Sequence, residues 1–247
     1  YLIGLMIAMI VVGAGGGFLL APLFIFLFPE MPASRLTALS LLAVCANSWS
    51  GSIGYALRKT VHWPSVFLFT LAGIPGVFLG VRLSQSIPRS TFELVFAIFL
   101  LTMSGFVIWR STRDRQAPAA NSFWNLRNQI FGSVISLFIG VISSLLGIGG
   151  GIIHVPLLAE LLKYPIHLAA GTSHAILALT SLVAVIEHFY RGDLLGMEPW
   201  VPFLVAGLVV GAQIGAAFSK KVQGRWILRT LGVALLAVAL RLFAKNI

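Results

Sequence analysis

The sequence predicts an all-α polytopic membrane protein made of two homologous repeats, each of four helical segments. Three observations predict it. The 247 residues are 58% hydrophobic and only 10% charged, against about 25% charged in a soluble globular domain. Apolar runs long enough to cross ~30 Å of hydrocarbon recur along the chain. And the same residues return about 134 positions later.

Eight apolar segments can be marked, at 1–28, 36–57, 63–81, 91–109, 130–162, 168–190, 200–218 and 226–243, with a mean hydropathy of +0.98 for the whole chain. Each must be helical, because hydrocarbon offers no partner to an unpaired backbone group and the alternation of a barrel strand is missing. The chain opens on Tyr1 rather than methionine, so further residues are expected upstream. Segment 1–28 is too long for a signal-peptide core and reads as a membrane segment. Cys45 is the single cysteine, which excludes an intramolecular disulfide or a cysteine-based metal site.

A net charge of +10 raises the possibility of nucleic acid. The cations argue against it, since they fall in short clusters between apolar runs (Arg58-Lys59, Arg110 to Arg127, Lys220-Lys221-Arg225). That is the positive-inside pattern of a cytoplasmic face, not one basic face on a soluble domain.

The polar stretch 111–128, rich in proline, alanine and arginine, reads as a cytoplasmic linker. It separates a first transmembrane repeat, 1–110, from a second, 129–247. At an offset of 134, Gly13, Gly15, Gly16, Gly17 and Pro22 return as Gly147, Gly149, Gly150, Gly151 and Pro156. At 133, Ser40, Ser48 and Arg58 return as Ser173, Ser181 and Arg191, and at 135, Gly76, Gly80 and Ser84 return as Gly211, Gly215 and Ser219. Duplication of this kind is common in transporters, which bind substrate between the repeats.

Each repeat begins with a GxGGG run followed five residues later by proline. Consecutive glycines each cost roughly 1 kcal/mol relative to alanine in a helix, and Pro22 and Pro156 lack the N–H of an interior bond. The run therefore predicts an unwound break. Length agrees, because 130–162 as one helix would reach ~50 Å at 1.5 Å per residue, beyond the hydrocarbon thickness even with tilt. Unwound backbone at that depth must be buried or line a cavity, and the half-helix after it aims free N–H groups at an anion. Small-xxx-small packing is the competing explanation, and it is preferred for the Gly76–Gly80 and Gly207–Gly211–Gly215 stripes. No Gly-Lys-Ser/Thr follows either run, which excludes a P-loop.

A GxGGG run with its proline, then a small-Thr-Ser near the start of the next helix, resembles the TauE/SafE sulfite-exporter family. The second half carries Gly171-Thr172-Ser173 intact, while the first has Ala38-Leu39-Ser40. The resemblance implies export or permeation of sulfite, sulfonates such as sulfoacetate, or related organosulfur anions across the inner membrane.

Polar residues within the spans supply the candidate site. His154 and His174 occur only in the second half, where the first has Leu20 and Leu41. Either can donate to an oxyanion or carry a proton; a histidine satisfied by a backbone carbonyl is the competing account. Asn47 and Ser40, like Ser173 and Thr180, are seven residues apart and share a helical face. Those faces are expected to meet across a pseudo-symmetry axis. The expected substrate-binding set is Gly15, Gly16, Gly17, Ser40, Asn47, Gly149, Gly150, Gly151, His154, Thr172, Ser173 and His174. Glu187, His188 and Arg191 read as interfacial residues and local ion pairs.

No catalytic residue, cofactor or metal is called for, and no nucleic acid. The expected partners are a small anion and the bilayer, with proton coupling and homo-oligomerisation open. The rival readings are an anion channel and a haem-binding redox subunit ligated by the two histidines. Re-entrant breaks would give three crossings per repeat and inverted repeats; crossing breaks would give four and parallel ones. The re-entrant reading gathers the cations on one face, so inverted repeats are expected.

Overall fold

The computed structural model describes residues 20–112, 124–195, 233 and 235–244. The helices in order are α1 (Leu20–Leu27), α2 (Ala33–Leu57), α3 (Trp63–Ser86), α4 (Arg89–Thr112), α5 (Leu126–Leu146), a short α6 (Gly151–Pro156) continued by a π turn (Leu157–Leu161), α7 (Ile166–Tyr190) and α8 (Leu235–Ala244). Five of them, α2 to α5 and α7, are long and apolar enough to cross a bilayer. Phe67, Leu71, Phe78, Ile98, Leu101, Phe131, Phe138 and Ile186 are exposed on their outer faces, as side chains that meet lipid tails should be. The first glycine run and segment 200–218 lie outside the described residues.

The fifth apolar segment is not one helix. α5 stops at Gly147, the chain unwinds through Gly147–Gly150, and α6 turns back along α5. A Cβ on Gly150 would press on Ile139, and Leu162 returns to Gly132. The Asn128 side chain donates to the Leu162 carbonyl, so the hairpin closes beside the start of α5. α4 runs to Thr112, and Asn125 caps α5 by accepting from the Asn128 N–H at 2.8 Å.

α3 and α5 run parallel in close contact. Cβ atoms on Gly76, Gly80 and Gly140 would strike the Leu137, Val141 and Gly73 carbonyl oxygens, respectively. Without side chains there, the backbones approach, and association in lipid relies on that contact rather than on a hydrophobic driving force. The first stripe is thus a packing device, as its spacing suggests. α3 and α5 start at the same end, called here the linker end. α2 finishes there, beside the start of α3, and α7 finishes at the far end, where Arg191 meets Gln85 of α3.

Among the described helices of crossing length, α2 and α7 are the most buried. In each, 61% of the apolar stretch is buried, against 44% for α3 and 39% for α4 and α5. They pack antiparallel: Gly51 and Tyr55 of α2 touch His174 near the start of α7, while Ser34 at the start of α2 reaches Asp193 beyond its end. One apolar cluster joins α1, α2, α4 and α8 through Phe24, Leu36, Phe92 and Leu235. A second joins α3, α5, the π turn and α7 through Phe69, Ile139, Leu158 and Ile176. α3 therefore packs with residues from the second half of the chain, and α8 with residues from the first.

Candidate functional site

The break between α5 and α6 is held open by a clasp from α2. Gly147 and Gly149 have φ of +67° and +69°, a left-handed conformation that costs other residues about 1–2 kcal/mol. Their surroundings are as restrictive. A Cβ on Gly149 would lie 2.5 Å from Val44 Cγ1 and 2.8 Å from Leu177 Cδ1, so α2 and α7 close on it from two sides. The buried Ser40 hydroxyl donates to the Gly147 carbonyl at 2.5 Å. It satisfies a carbonyl that unwinding has released, in a medium that offers no water in its place.

His154 belongs to the same feature. Its Nδ1 lies 3.2 Å from the Gly150 carbonyl oxygen and its Nε2 3.4 Å from Ser136 Oγ on α5. The imidazole is buried and spans the hairpin, tying α6 to the break and to α5. This is the carbonyl-satisfied arrangement weighed in the sequence.

His174 differs. It faces α2, with its ring against Gly51 and 5.2 Å from the Tyr55 ring centroid, and its Nδ1 has no hydrogen-bond partner among the described residues. The same holds for the hydroxyls of Ser173, beside it in sequence, and of Ser48 and Ser52, which flank Gly51. An unmade bond to a buried polar group costs about 1–3 kcal/mol, so several on two facing helices call for an explanation. Asn47 is half-buried on α2, next to Ser48.

Thr172 is drawn into a neighbouring structure. Its hydroxyl accepts from the His62 backbone N–H at 3.0 Å, and the Thr60 carbonyl lies where a side chain on Gly171 would go. The turn between α2 and α3 is thereby seated on the start of α7. His62 Nδ1 is 2.6 Å from Ser65 Oγ, itself 2.6 Å from the Tyr164 hydroxyl, and the His62 ring meets Trp124 edge-on at 4.8 Å. Burial pushes the His62 imidazole below its ordinary range. This cover over the linker end of the α2–α7 seam was not read from the sequence, since its members lie on four separate segments.

The predicted residues thus fall into three groups. Ser40, Gly149, Gly150, Gly151 and His154 form the break and its braces. His174 lies against α2, Ser173 is buried beside it on α7 as Ser48 and Ser52 are on α2, and Thr172 anchors the cover. Gly15, Gly16 and Gly17 lie outside the described residues.

Glu187 and Arg191 do form a local pair, with Arg191 Nε donating to Glu187 Oε1 at 2.6 Å. His188, by contrast, is fully buried and lies 2.7 Å from Asp193 Oδ2. One residue further along a helix is about 100° around it, so His188 points inward from a helix end whose neighbours point out.

Residues 1–242 match the family model "Sulfite exporter TauE/SafE". A probable membrane transporter protein of Bacillus subtilis is 25% identical over 96% of this chain and 92% of its own length. Another, of Xylella fastidiosa, is 28% identical over 92% and 87%, and one from Methanocaldococcus jannaschii is 30% identical over 71% and 65%. No solved structure gives a significant match. With apolar helices of crossing length and a family match over nearly every residue, the chain is a multi-pass membrane transporter of the TauE/SafE family.

Proposed function

We propose that the protein is a secondary carrier of small sulfur oxyanions, such as sulfite or an organosulfonate, bound in the seam between α2 and α7. The observation that carries this is a set of buried polar atoms on those helices that have no partner among the described residues: Ser48 and Ser52 Oγ, Ser173 Oγ and His174 Nδ1. An anion accepting from hydroxyls and an imidazole would satisfy them together, without a fixed positive charge in the membrane. The glycine break packs against Val44 of α2 and Leu177 of α7, further along the same two helices. His174, whose Nδ1 is unpaired, is the stronger candidate for substrate contact, and His154 is a brace.

The antiparallel packing of α2 and α7 supports inverted repeats of about 1–110 and 129–247, with movement of one against the other giving alternating access. The fold-back of α5 and α6 supports a re-entrant break. A channel would share these features and differ in lacking counter-ion coupling. Uptake of labelled sulfite, sulfoacetate and taurine into proteoliposomes, with and without a pH gradient, tests the reading. Saturable flux of at least one anion, lowered tenfold or more by His174→Ala and much less by Ser136→Ala, is expected. No flux of any anion would overturn it.

A further inference from the structure

The turns that follow α2 and α7 have the same backbone and different chemistry. After α2, the Lys59 N–H donates to the Ala56 carbonyl and the Thr60 N–H to the Tyr55 carbonyl. After α7, the Gly192 N–H donates to Phe189 and the Asp193 N–H to His188, each donor and acceptor 133 residues on. Tyr55 and Thr60 thus occupy the places of His188 and Asp193. The Tyr–Thr pair shows that this turn forms without a titratable pair, so the turn itself does not require the histidine and the aspartate.

At the far end, Asp193 Oδ2 takes His188 Nδ1 at 2.7 Å and Gln85 Nε2, from α3, at 2.9 Å, and Ser34 of α2 donates to the same carboxylate. Arg191 holds Gln85 Oε1 at 3.1 Å from the rim, with its own charge paired to Glu187. From α2 the pair is faced by Ser34 and from α3 by Gln85, both uncharged. Among the described residues the charge acting on Asp193 is that of His188. Burial raises the Asp193 carboxyl, but the hydrogen bonds from His188, Gln85 and Ser34 outweigh it and hold it below the ordinary carboxylate range. The carboxylate accepts the Nδ1–H, which leaves Nε2 as the atom with the lone pair. That atom is buried and has no partner among the described residues. The side chain of Asp193, one-tenth exposed, connects the pair to water.

We propose that His188 Nε2 is a proton-binding site, held ready by Asp193, whose occupation opens the far end of the seam. One proton from the aqueous phase adds to the Nε2 lone pair, and no other bond changes. The new N–H is then a buried donor with no acceptor, carrying part of a buried charge. That cost is relieved when the end of α7 parts from α2 and α3 and Nε2–H reaches water. Asp193 acts as a positioning residue: it fixes the tautomer and balances the imidazolium. The inference rests on the far-end geometry and is independent of which anion, if any, the seam binds.

The test uses no substrate. Ser84, buried on α3 next to Gln85, is replaced by cysteine in full-length Cys45→Ser protein in proteoliposomes. Its rate of reaction with a membrane-impermeant maleimide is divided by the rate for the unfolded protein at the same pH, which removes the pH dependence of the thiol. This ratio is expected to rise at least tenfold between about pH 8 and pH 5. It should stay flat with His188→Gln or with His188→Tyr, the residue that the α2 turn carries. With Asp193→Asn the rise should move about one pH unit or more towards acid, the scale on which a neighbouring opposite charge acts. No rise in the parent, an unchanged rise in both His188 variants, or an unmoved rise in Asp193→Asn would each overturn the proposal. A protein that labels as expected and moves no anion would refute the carrier reading alone.

Discussion

α2 and α7 are one backbone carrying two different chemistries. Both are 25 residues long and follow a proline, Pro32 or Pro165. Both end on an arginine with nearly the same dihedrals, −84° and 2° at Arg58, −85° and −4° at Arg191. The next residue is left-handed in each, Lys59 at φ 57° and Gly192 at φ 81°. Yet Leu41 in α2 answers to His174 in α7, Tyr55 to His188 and Thr60 to Asp193. Since the frame persists through these exchanges, the polar residues of α7 are not what builds it. They are the places to look for transport and its coupling.

The largest effect should come where the two helices differ by a single methyl. Ala38 of α2 corresponds to Gly171 of α7, so Gly171→Ala makes the pair identical there. The Thr60 carbonyl fills the space a methyl would need, and it belongs to backbone that cannot swing aside. We expect Gly171→Ala to cost about 2–3 kcal/mol, as overpacking commonly does, measured by thermal or denaturant unfolding in detergent. A neutral result would show that the cover over the seam yields easily, and that the linker end is the looser of the two.

A smaller contrast separates the paired serines. Ser40 donates to the Gly147 carbonyl, so Ser40→Ala leaves that acceptor buried and unmatched, at about 1–3 kcal/mol. Ser173 Oγ has no partner among the described residues, so Ser173→Ala removes an unmatched buried hydroxyl and should stabilise by up to about 1–3 kcal/mol. Flux should rank them otherwise, with Ser173→Ala lowering substrate affinity without loss of stability. Equal losses of stability would mean that Ser173 has a structural partner and does not wait for a substrate.

How much of this the sequence disclosed follows from the range of each interaction. The spans are local properties of apolar runs, and α2, α3, α4 and α7 start within three residues of the expected positions. The ends are less legible: α3 runs on to Ser86, past the apolar run that ends at Val81, because Arg82 and Gln85 keep a helix going where lipid gives way to water. The break was legible in its glycines. Its braces were not, since Ser40 is 107 residues from Gly147, and nothing in a serine says which carbonyl it will meet. His188 was hidden by its neighbours, whose i,i+4 ion pair accounts for the helix end without it.

The left-handed turn residue offers a test on a smaller scale. Lys59 pays about 1–2 kcal/mol for a left-handed backbone, while glycine in its place brings an entropic cost of about 0.5–1 kcal/mol. Lys59→Gly should therefore stabilise by about 0.5–1 kcal/mol, and Gly192→Lys should destabilise by a similar amount, both read as shifts in unfolding midpoint. Opposite signs at the two sites are the signature of one turn geometry used twice. The same sign at both would mean that the shared dihedrals conceal different constraints.

The finest distinction between the two ends lies in how they respond to acid. At the linker end, burial holds His62 below its ordinary value near 6.5. The folded state thus favours neutral imidazole, whose contribution is complete above about pH 6.5 and is lost as the pH falls below it towards the depressed value. At the far end, Asp193 is held below its ordinary value near 3.8. Its contribution is complete above that value and is lost only as the pH falls below it towards the lower one of the folded state. An acid titration of stability should therefore show a weak loss beginning near pH 6, removed by His62→Gln, before the loss below about pH 4 that Asp193→Asn removes. Thermal unfolding across that range for the parent and both variants would show it. If His62→Gln left the first loss in place, the burial of His62 would not be the source of the early acid response.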